Sequence, residues 1–265
     1  MALGMLINGK WTTNWTEHDE QGNFIRMETK FNGTPESITL SDKKRYSLYI
    51  SYGCPWATRT AIALNLLGLK DFINLIVVAP HVSKDGWYFT KELPDTNYDS
   101  KLLQSIYLKH DPNYTGRVTV PILWDGKKKK IINNESLEIM QILENKFSTF
   151  GKFKSHKLFS SPSVDTEIEY NYHAINNACY RVGFAKSQDS YDKEVNFLFK
   201  ELDLLNIKLS KSDFLLGDTL TAADICIATE SSPIRHFALS INAINSFNDN
   251  FPAKFVICTF LFSSN

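Results

Sequence analysis

Several absences narrow the classes of protein to which this chain can belong. Its 29 basic and 29 acidic side chains give zero formal net charge, so composition indicates neither a nucleic-acid nor an anionic-membrane partner. No run approaches the roughly 20 apolar residues of a membrane-spanning helix, and the apolar start of the chain is too short for a signal peptide. The expected localisation is therefore cytoplasmic.

Motifs for the common cofactors are also missing. The sequence has no glycine-rich dinucleotide loop, no Walker-type phosphate loop and no His, Asp or Glu spacing typical of a metal site. Its four cysteines, at positions 54, 179, 226 and 258, lack the spacing of a zinc site or of paired disulfides. We therefore expect no metal, and a reducing compartment.

What the chain does contain is a cysteine at the junction of a strand and a helix. Residues 46–51 predict a strand, and 58–67 carry alanine and leucine at helical spacing. Pro55 suits the first helical position, which leaves Cys54 at the helix N-terminus. Such placement lowers a cysteine pKa from about 8.5 to roughly 3.5–7.5, because free N–H groups and the helix dipole favour the thiolate. Cys54 is a candidate nucleophile; the alternative is a small buried apolar residue.

The same turn has no second cysteine. Ala57 occupies the position that the second cysteine of a C-x-x-C motif would take. A mixed disulfide on Cys54 would therefore need an outside thiol, such as glutathione, to resolve it.

The order of predicted elements defines the fold class. The elements are a strand (46–51), the Cys54 helix, a strand (72–78), a short helix (102–108), two strands (118–124 and 130–132) and a helix (135–147). This β-α-β-α-β-β-α order is that of an α+β thioredoxin-like domain. The four lysines at 127–130 predict a solvated hairpin turn, since Asp125-Gly126 is itself turn-forming.

The domain organisation follows from the change of pattern along the chain. Residues 1–45 are expected to form an N-terminal extension, 46–150 a thioredoxin-like glutathione-binding domain, and 165–265 an all-α domain. Apolar residues from Val195 to Leu209 lie at helical spacing, and Thr221 to Asp224 resembles a capping box at the start of another helix. A thioredoxin-like domain followed by an all-helical domain is the glutathione transferase architecture.

A glutathione site in this fold needs a backbone clamp and groups for the γ-glutamyl end. Val120-Pro121 opens a strand, and a cis bond there would let Val120 pair with the peptide; an ordinary trans proline is the alternative. Glu135-Ser136 opens a helix, where Ser136 could donate to the γ-glutamyl carboxylate and Glu135 could accept from its ammonium. Plain helix capping explains the same residues.

The remaining candidates are a cation and several aromatic residues. Arg117 and Arg59 both qualify to bind the glycine carboxylate, and Trp87 could cover the peptide. The candidates for an acceptor pocket are Tyr180, Tyr52 and Trp56.

At these positions the chain resembles the glutathionyl-hydroquinone reductases, the Xi-class glutathione transferases related to the omega class. The matching stretches run in family order: RYSLYISYGCPWATRT, KDGWYF, DPNYTGRVTVPILWD, INNESLEI, VGFAKSQDSYD and LTAADI, with QGNFIRMETKF resembling the family's N-terminal extension. The resemblance implies that Cys54 attacks S-glutathionyl-hydroquinones and that a second glutathione resolves the mixed disulfide. It implies glutathione contacts at Trp87, Arg117, Val120, Glu135 and Ser136, and an acceptor-site tyrosine at Tyr180.

The chain departs from the family after Asp224. Ile225-Cys226-Ile227 follows where the family has an arginine and a long helical segment, and no tyrosine occurs after Tyr191, which indicates a truncated or divergent tail. Whether the chain keeps the family's acceptor pocket and whether it forms a homodimer are therefore open questions. Two alternatives remain beside the reductase: an omega-like thiol transferase or dehydroascorbate reductase with an open pocket, and a non-catalytic binding module.

Overall fold

The computed structural model describes residues 4–13, 18–153 and 157–229. The chain forms two compact units. The first consists of Met1–Thr16 and Glu28–His156, and the second of Glu17–Met27 and Lys157–Asn265. The predicted N-terminal extension, 1–45, is thus divided between both units.

The first unit contains seven strands and three α-helices within the described residues. The strands are β1 (Met5–Ile7), β2 (Lys10–Thr12), β3 (Tyr46–Ile50), β4 (Asn74–Val77), β5 (Gly116–Arg117), β6 (Ile122–Asp125) and β7 (Lys130–Asn133). The helices are α1 (Pro55–Leu66), α2 (Gln104–His110) and α3 (Ser136–Ile142), and α3 continues as a π-helical turn over Leu143–Phe147.

The main sheet has the strand order β4-β3-β6-β7. β3 and β4 are parallel, and β6 runs antiparallel to both β3 and β7. All five residues of β3 are buried, including Ser47, because the strand lies in the middle of the sheet and is covered on both faces. This sheet is thioredoxin-like, as the order of elements predicted.

A smaller sheet was not predicted. β1 and β2 form an N-terminal hairpin, residues 5–12, and β1 also pairs with β5. Asn8 and Gly9 connect the two strands with φ of 48° and 74°. Positive φ at both central residues of a two-residue hairpin loop is typical of a type I′ turn, for which Asn-Gly is a preferred pair.

The second unit is helical. It contains α4 (Pro162–Asn171), α5 (Asn177–Phe184), α6 (Gln188–Leu209) and a helical segment over residues 222–229. The carboxylate of Asp224 accepts from the N–H of Thr221 at 2.8 Å, which is the reach-back half of the predicted capping box. The predicted fold class is confirmed. The expected divergence of the tail falls largely on residues 230–265, outside the described ranges.

Two smaller expectations can be compared with the structure. Lys127 to Lys129 form the β6–β7 turn and Lys130 begins β7. Asp125 Oδ1 accepts from the N–H groups of Lys127 and Lys128 at 2.9 and 3.1 Å, so the turn interpretation is confirmed. Within the described ranges, no helix combines the length and the hydropathy that a membrane crossing requires.

Candidate active site

Cys54 lies at the N-terminus of α1, directly after the turn that follows β3. Its backbone is extended, and Pro55 occupies the first turn of the helix, as predicted. The Cys54 carbonyl accepts from the N–H groups of Ala57 and Thr58 at 3.1 and 2.9 Å, so helical hydrogen bonding begins at the cysteine. The residue is half-buried. A thiolate here would face the positive end of the helix dipole.

The turn before Cys54 is held by contacts that sequence reasoning did not identify. The Ser51 hydroxyl donates to the carbonyl of Ala79 at 3.0 Å, and the Cys54 N–H donates to the carbonyl of Ser51 at 3.1 Å. A Cβ atom at Gly53 would lie 1.9 Å from the carbonyl oxygen of Pro80. Only glycine allows this close approach of two backbones, and a glycine directly before Cys-Pro was the available signal.

Val120 contributes backbone groups beside the thiol. The Val120-Pro121 peptide bond is cis, which confirms the prediction. The Sγ atom of Cys54 lies 3.8 Å from the Val120 carbonyl oxygen, within reach of a weak thiol hydrogen bond. In the described part of the chain, no group accepts from the Val120 N–H. Val120 therefore offers a backbone acceptor close to the thiol and a backbone donor from the same residue.

Glu135 and Ser136 begin α3. The Glu135 carboxylate accepts from the N–H of Leu137 at 3.4 Å, and the Ser136 hydroxyl donates to that carboxylate at 3.3 Å. The hydroxyl of Thr29 donates to its other oxygen at 3.5 Å. Glu135 therefore caps α3 from the N-cap position, which confirms the capping interpretation for this residue. Their roles toward a γ-glutamyl group stay predictions, and Ser136 is only 2% exposed.

The two candidate arginines differ in burial. Arg59 is 2% exposed, and its guanidinium carbon lies 4.3 Å from the centroid of the Trp56 ring. Arg117 is half-buried in β5. Burial does not suit Arg59 to an incoming carboxylate, which leaves Arg117 as the candidate. Trp87 is half-buried in the loop between β4 and α2, where its carbonyl accepts from the N–H of Leu103 at 2.9 Å.

The three aromatic candidates for an acceptor pocket lie in different surroundings. Tyr52 is 61% exposed in the β3–α1 turn, and Trp56 lies in the first turn of α1 against Arg59. Tyr180 belongs to α5 of the second unit, where Arg26 lies 4.3 Å from the centroid of its ring. Their role in an acceptor pocket stays a prediction.

A buried tyrosine that the sequence did not single out connects two of these positions. The Tyr107 hydroxyl donates to the Thr119 carbonyl at 2.9 Å and accepts from the Thr119 N–H at 3.1 Å. The amide of Asn134 donates to the same oxygen at 3.4 Å. Thr119 and Asn134 directly precede Val120 and Glu135.

Among the described residues, no group of three or more His, Cys, Asp or Glu side chains could hold a metal ion.

A thioredoxin-like unit with a cysteine at the N-terminus of α1, together with a helical unit, defines the class of glutathione transferases. Family models for the N-terminal and C-terminal domains of glutathione S-transferases match residues 53–146 and 168–253. Glutathionyl-hydroquinone reductase YqjG of Escherichia coli is 37% identical over 246 residues, which cover 86% of this chain and 74% of that relative.

Solved structures of glutathione transferases are also similar to this chain. A Xi-class transferase from Natrialba magadii has a TM-score of 0.76 and 37% identity, covering 86% of this chain and 72% of that one. The glutathione-bound structure of E. coli YqjG has a TM-score of 0.73 and 35% identity, covering 88% of this chain and 77% of that one. The chain therefore belongs to the Xi-class glutathione transferases, the family of the glutathionyl-hydroquinone reductases.

Proposed function

We propose that this protein reduces S-glutathionyl-hydroquinones with glutathione, through a mixed disulfide on Cys54. The observation that carries the proposal is the position of Cys54, half-buried at the N-terminus of α1 and with its sulfur 3.8 Å from the Val120 carbonyl. The helix N-terminus favours the thiolate, which is the nucleophilic form. Membership of the Xi class, and the glutathione bound to YqjG, support glutathione as the co-substrate.

The reaction has two thiol-transfer steps. In the first, the Cys54 thiolate attacks the sulfur of the conjugate, and a sulfur–sulfur bond forms as the sulfur–carbon bond breaks. The ring carbon takes the electron pair and a proton, and the hydroquinone leaves. In the second, the thiolate of another glutathione attacks the glutathionyl sulfur of the mixed disulfide, releasing oxidised glutathione and the Cys54 thiolate. The conjugate is reduced and two glutathione units are oxidised.

The other site residues bind and orient the substrates. Val120 pairs with the cysteinyl backbone of glutathione, Glu135 accepts from its ammonium with Ser136 beside it, and Arg117 binds its glycine carboxylate. Pro121 joins Val120 to the start of β6, and Trp87 covers the peptide. Tyr52 and Trp56, which flank Cys54 in the chain, contact the acceptor ring, where a tyrosine hydroxyl can donate to a phenolic oxygen. The scattered cysteines favour the cytoplasm, which supplies reduced glutathione.

The test is turnover of a model S-glutathionyl-hydroquinone with glutathione by the purified protein and by Cys54→Ser. We expect activity that disappears in Cys54→Ser, and a glutathionyl adduct on Cys54 in the wild type by mass spectrometry. Cys179→Ser, in α5, is the matched control and should keep the activity. A folded wild type that leaves the conjugate unchanged overturns the proposal. Reduction of a small alkyl–glutathione mixed disulfide or dehydroascorbate would then indicate the omega-like alternative.

A further inference from the structure

The N-terminal hairpin contacts the loop that carries Trp87. The indole N–H of Trp11, in β2, donates to the carbonyl of Lys84 at 3.0 Å. The Trp11 ring also lies against Gly86, where an added Cβ atom would be 2.8 Å from the ring, and against Gly4, where it would be 2.1 Å away. Both glycines provide the space that the indole occupies, so Trp11 is closely packed on the residue that precedes Trp87.

The loop at this contact is a tight turn. Ser83 and Gly86 exchange backbone hydrogen bonds at 3.0 and 3.1 Å, and Gly86 has a φ of 90°. The Ser83 hydroxyl donates to the Gly86 carbonyl at 2.9 Å and accepts from the Asp85 N–H at 3.1 Å. The turn is therefore well defined internally, and Trp11 holds it from outside through a hydrogen bond to Lys84.

The same hairpin pairs with the strand that carries Arg117. In the β1–β5 ladder, Met5 lies opposite Arg117. The Gly9 N–H, in the hairpin turn, donates to the carbonyl of Tyr114 at 3.1 Å. The Tyr114 hydroxyl in turn donates to the carbonyl of Arg117 at 3.0 Å. The hairpin thus supports the backbone at Arg117 both directly, through strand pairing, and through Tyr114.

We infer that the N-terminal hairpin, residues 5–12, is a positioning element of the glutathione site, with Trp11 as its main positioning residue. The inference rests on the proposed function, which gives Trp87 and Arg117 their roles toward glutathione. Trp11 acts through Lys84 and Gly86 on Trp87, and the pairing of β1 with β5 acts on Arg117. One short element thereby fixes two residues that bind the same ligand. Displacing the hairpin therefore weakens glutathione binding more than it slows the chemical step at Cys54.

The test compares Trp11→Ala and Trp11→Phe with the wild type. We expect Trp11→Ala to raise the glutathione dissociation constant, measured by titration calorimetry, roughly tenfold or more. The KM for glutathione should rise in parallel, while kcat at saturating glutathione changes less. Trp11→Phe keeps a ring over Gly86 but loses the hydrogen bond to Lys84, so its effect should be intermediate.

The matched control is Phe150→Ala. Phe150 is another half-buried aromatic residue of the same unit, and it stacks on Phe72 with ring centroids 4.5 Å apart. Both alanine variants lose stability, which urea denaturation measures, but Phe150→Ala should leave the glutathione dissociation constant unchanged. A folded Trp11→Ala protein that binds glutathione as the wild type does overturns the inference alone. A wild type that binds no glutathione overturns the proposed function instead.

Discussion

The hydroxyl of Tyr107 pairs with both backbone polar groups of one residue: it donates to the Thr119 carbonyl and accepts from the Thr119 N–H. Tyr107 is fully buried, and burial raises the pKa of its phenol, so the hydroxyl stays protonated. Because Thr119 directly precedes Val120, this pair fixes the backbone where glutathione is proposed to bind.

Replacing Tyr107 by Phe should therefore affect both stability and glutathione binding. The N–H and carbonyl of Thr119, which is half-buried, would lose their partner, which costs about 1 kcal/mol in free energy of unfolding. Urea denaturation measures the loss, and we expect the KM for glutathione to rise as well. Tyr170→Phe is the control, because Tyr170 is 52% exposed and its hydroxyl donates to the carboxylate of Glu201 on the surface. A Tyr107→Phe protein with wild-type stability and KM would contradict this account.

Glu135→Gln should weaken glutathione binding with little effect on the fold. Glutamine keeps an oxygen that can accept from the Leu137 N–H, but it lacks the charge that would attract the γ-glutamyl ammonium. A hydrogen bond to a charged group contributes roughly 1.5–3 kcal/mol, so we expect the KM for glutathione to rise about tenfold or more. Glu144→Gln, farther along the same helical run, should not change the KM. A Glu135→Gln protein whose KM for glutathione equals that of Glu144→Gln and of the wild type would exclude the role of Glu135 toward the γ-glutamyl ammonium.

The Arg45–Asp125 ion pair should make stability depend on pH in the acid range. Burial raises the pKa of Asp125, but hydrogen bonds from Arg45 and from the amides of Lys128 and Lys127 outweigh it, and the pKa is lowered. The hydrogen bond from Arg45 likewise lowers the pKa of Asp42 from 3.8 to about 2. At a pH between the folded and the unfolded pKa of each carboxyl, the folded state thus binds fewer protons than the unfolded state. The stabilisation is complete above about pH 4 and is lost as the pH falls toward 2.

The measurement is the free energy of unfolding of the wild type and Arg45→Met as a function of pH. Near neutral pH we expect Arg45→Met to be less stable by roughly 3 kcal/mol, because the Asp125 side chain is only 4% exposed and would be left without its cation. The difference should shrink below pH 4. A difference that is constant down to pH 2 would show that packing of the arginine, rather than its charge, is responsible.

His110 should give a second pH dependence, near neutrality. Its Nδ1 atom accepts from the N–H of Ile131 at 3.0 Å, which requires the neutral ring. Burial, followed by the charge of Lys130, lowers its pKa from the ordinary 6.5. Because the folded pKa lies below the unfolded one, this stabilisation is complete above pH 6.5 and is lost as the pH falls through the folded pKa.

His110→Asn tests this dependence. The asparagine oxygen can accept from the Ile131 N–H but does not titrate. The wild type should therefore lose stability relative to His110→Asn as the pH is lowered below 6.5, measured by thermal unfolding. Parallel pH profiles for the two proteins would contradict the assignment.

The sequence was a good guide wherever the deciding interactions are local. Pro55 after Cys54 marks a helix start because proline fits the first turn of a helix and neighbouring residues alone decide the matter. Asp125-Gly126 before the lysines specified a turn in the same way. Apolar spacing gave the order of elements, although β6 begins at Ile122 rather than 118, since cis Pro121 precedes the paired residues.

Where contacts join distant segments, the sequence was a poorer guide. Residue chemistry alone left both Arg59 and Arg117 as candidates, and only the family resemblance favoured Arg117, because the burial of Arg59 results from packing. The sequence assigned residues 1–45 only to an N-terminal extension, because nothing in the residues around Trp11 shows that its indole meets Lys84, 73 positions away.

The sequence by itself determined the thioredoxin-like order of elements, the helical second unit and the cysteine at a helix start, since periodicity and capping act between near neighbours. Only the tertiary structure decided which groups surround that cysteine. The register of β3 against β6 and the turn at Gly53 bring the Val120 carbonyl, 66 residues along the chain, to the Cys54 sulfur. Such contacts depend on how all the strands pack together, and local sequence patterns do not encode that arrangement.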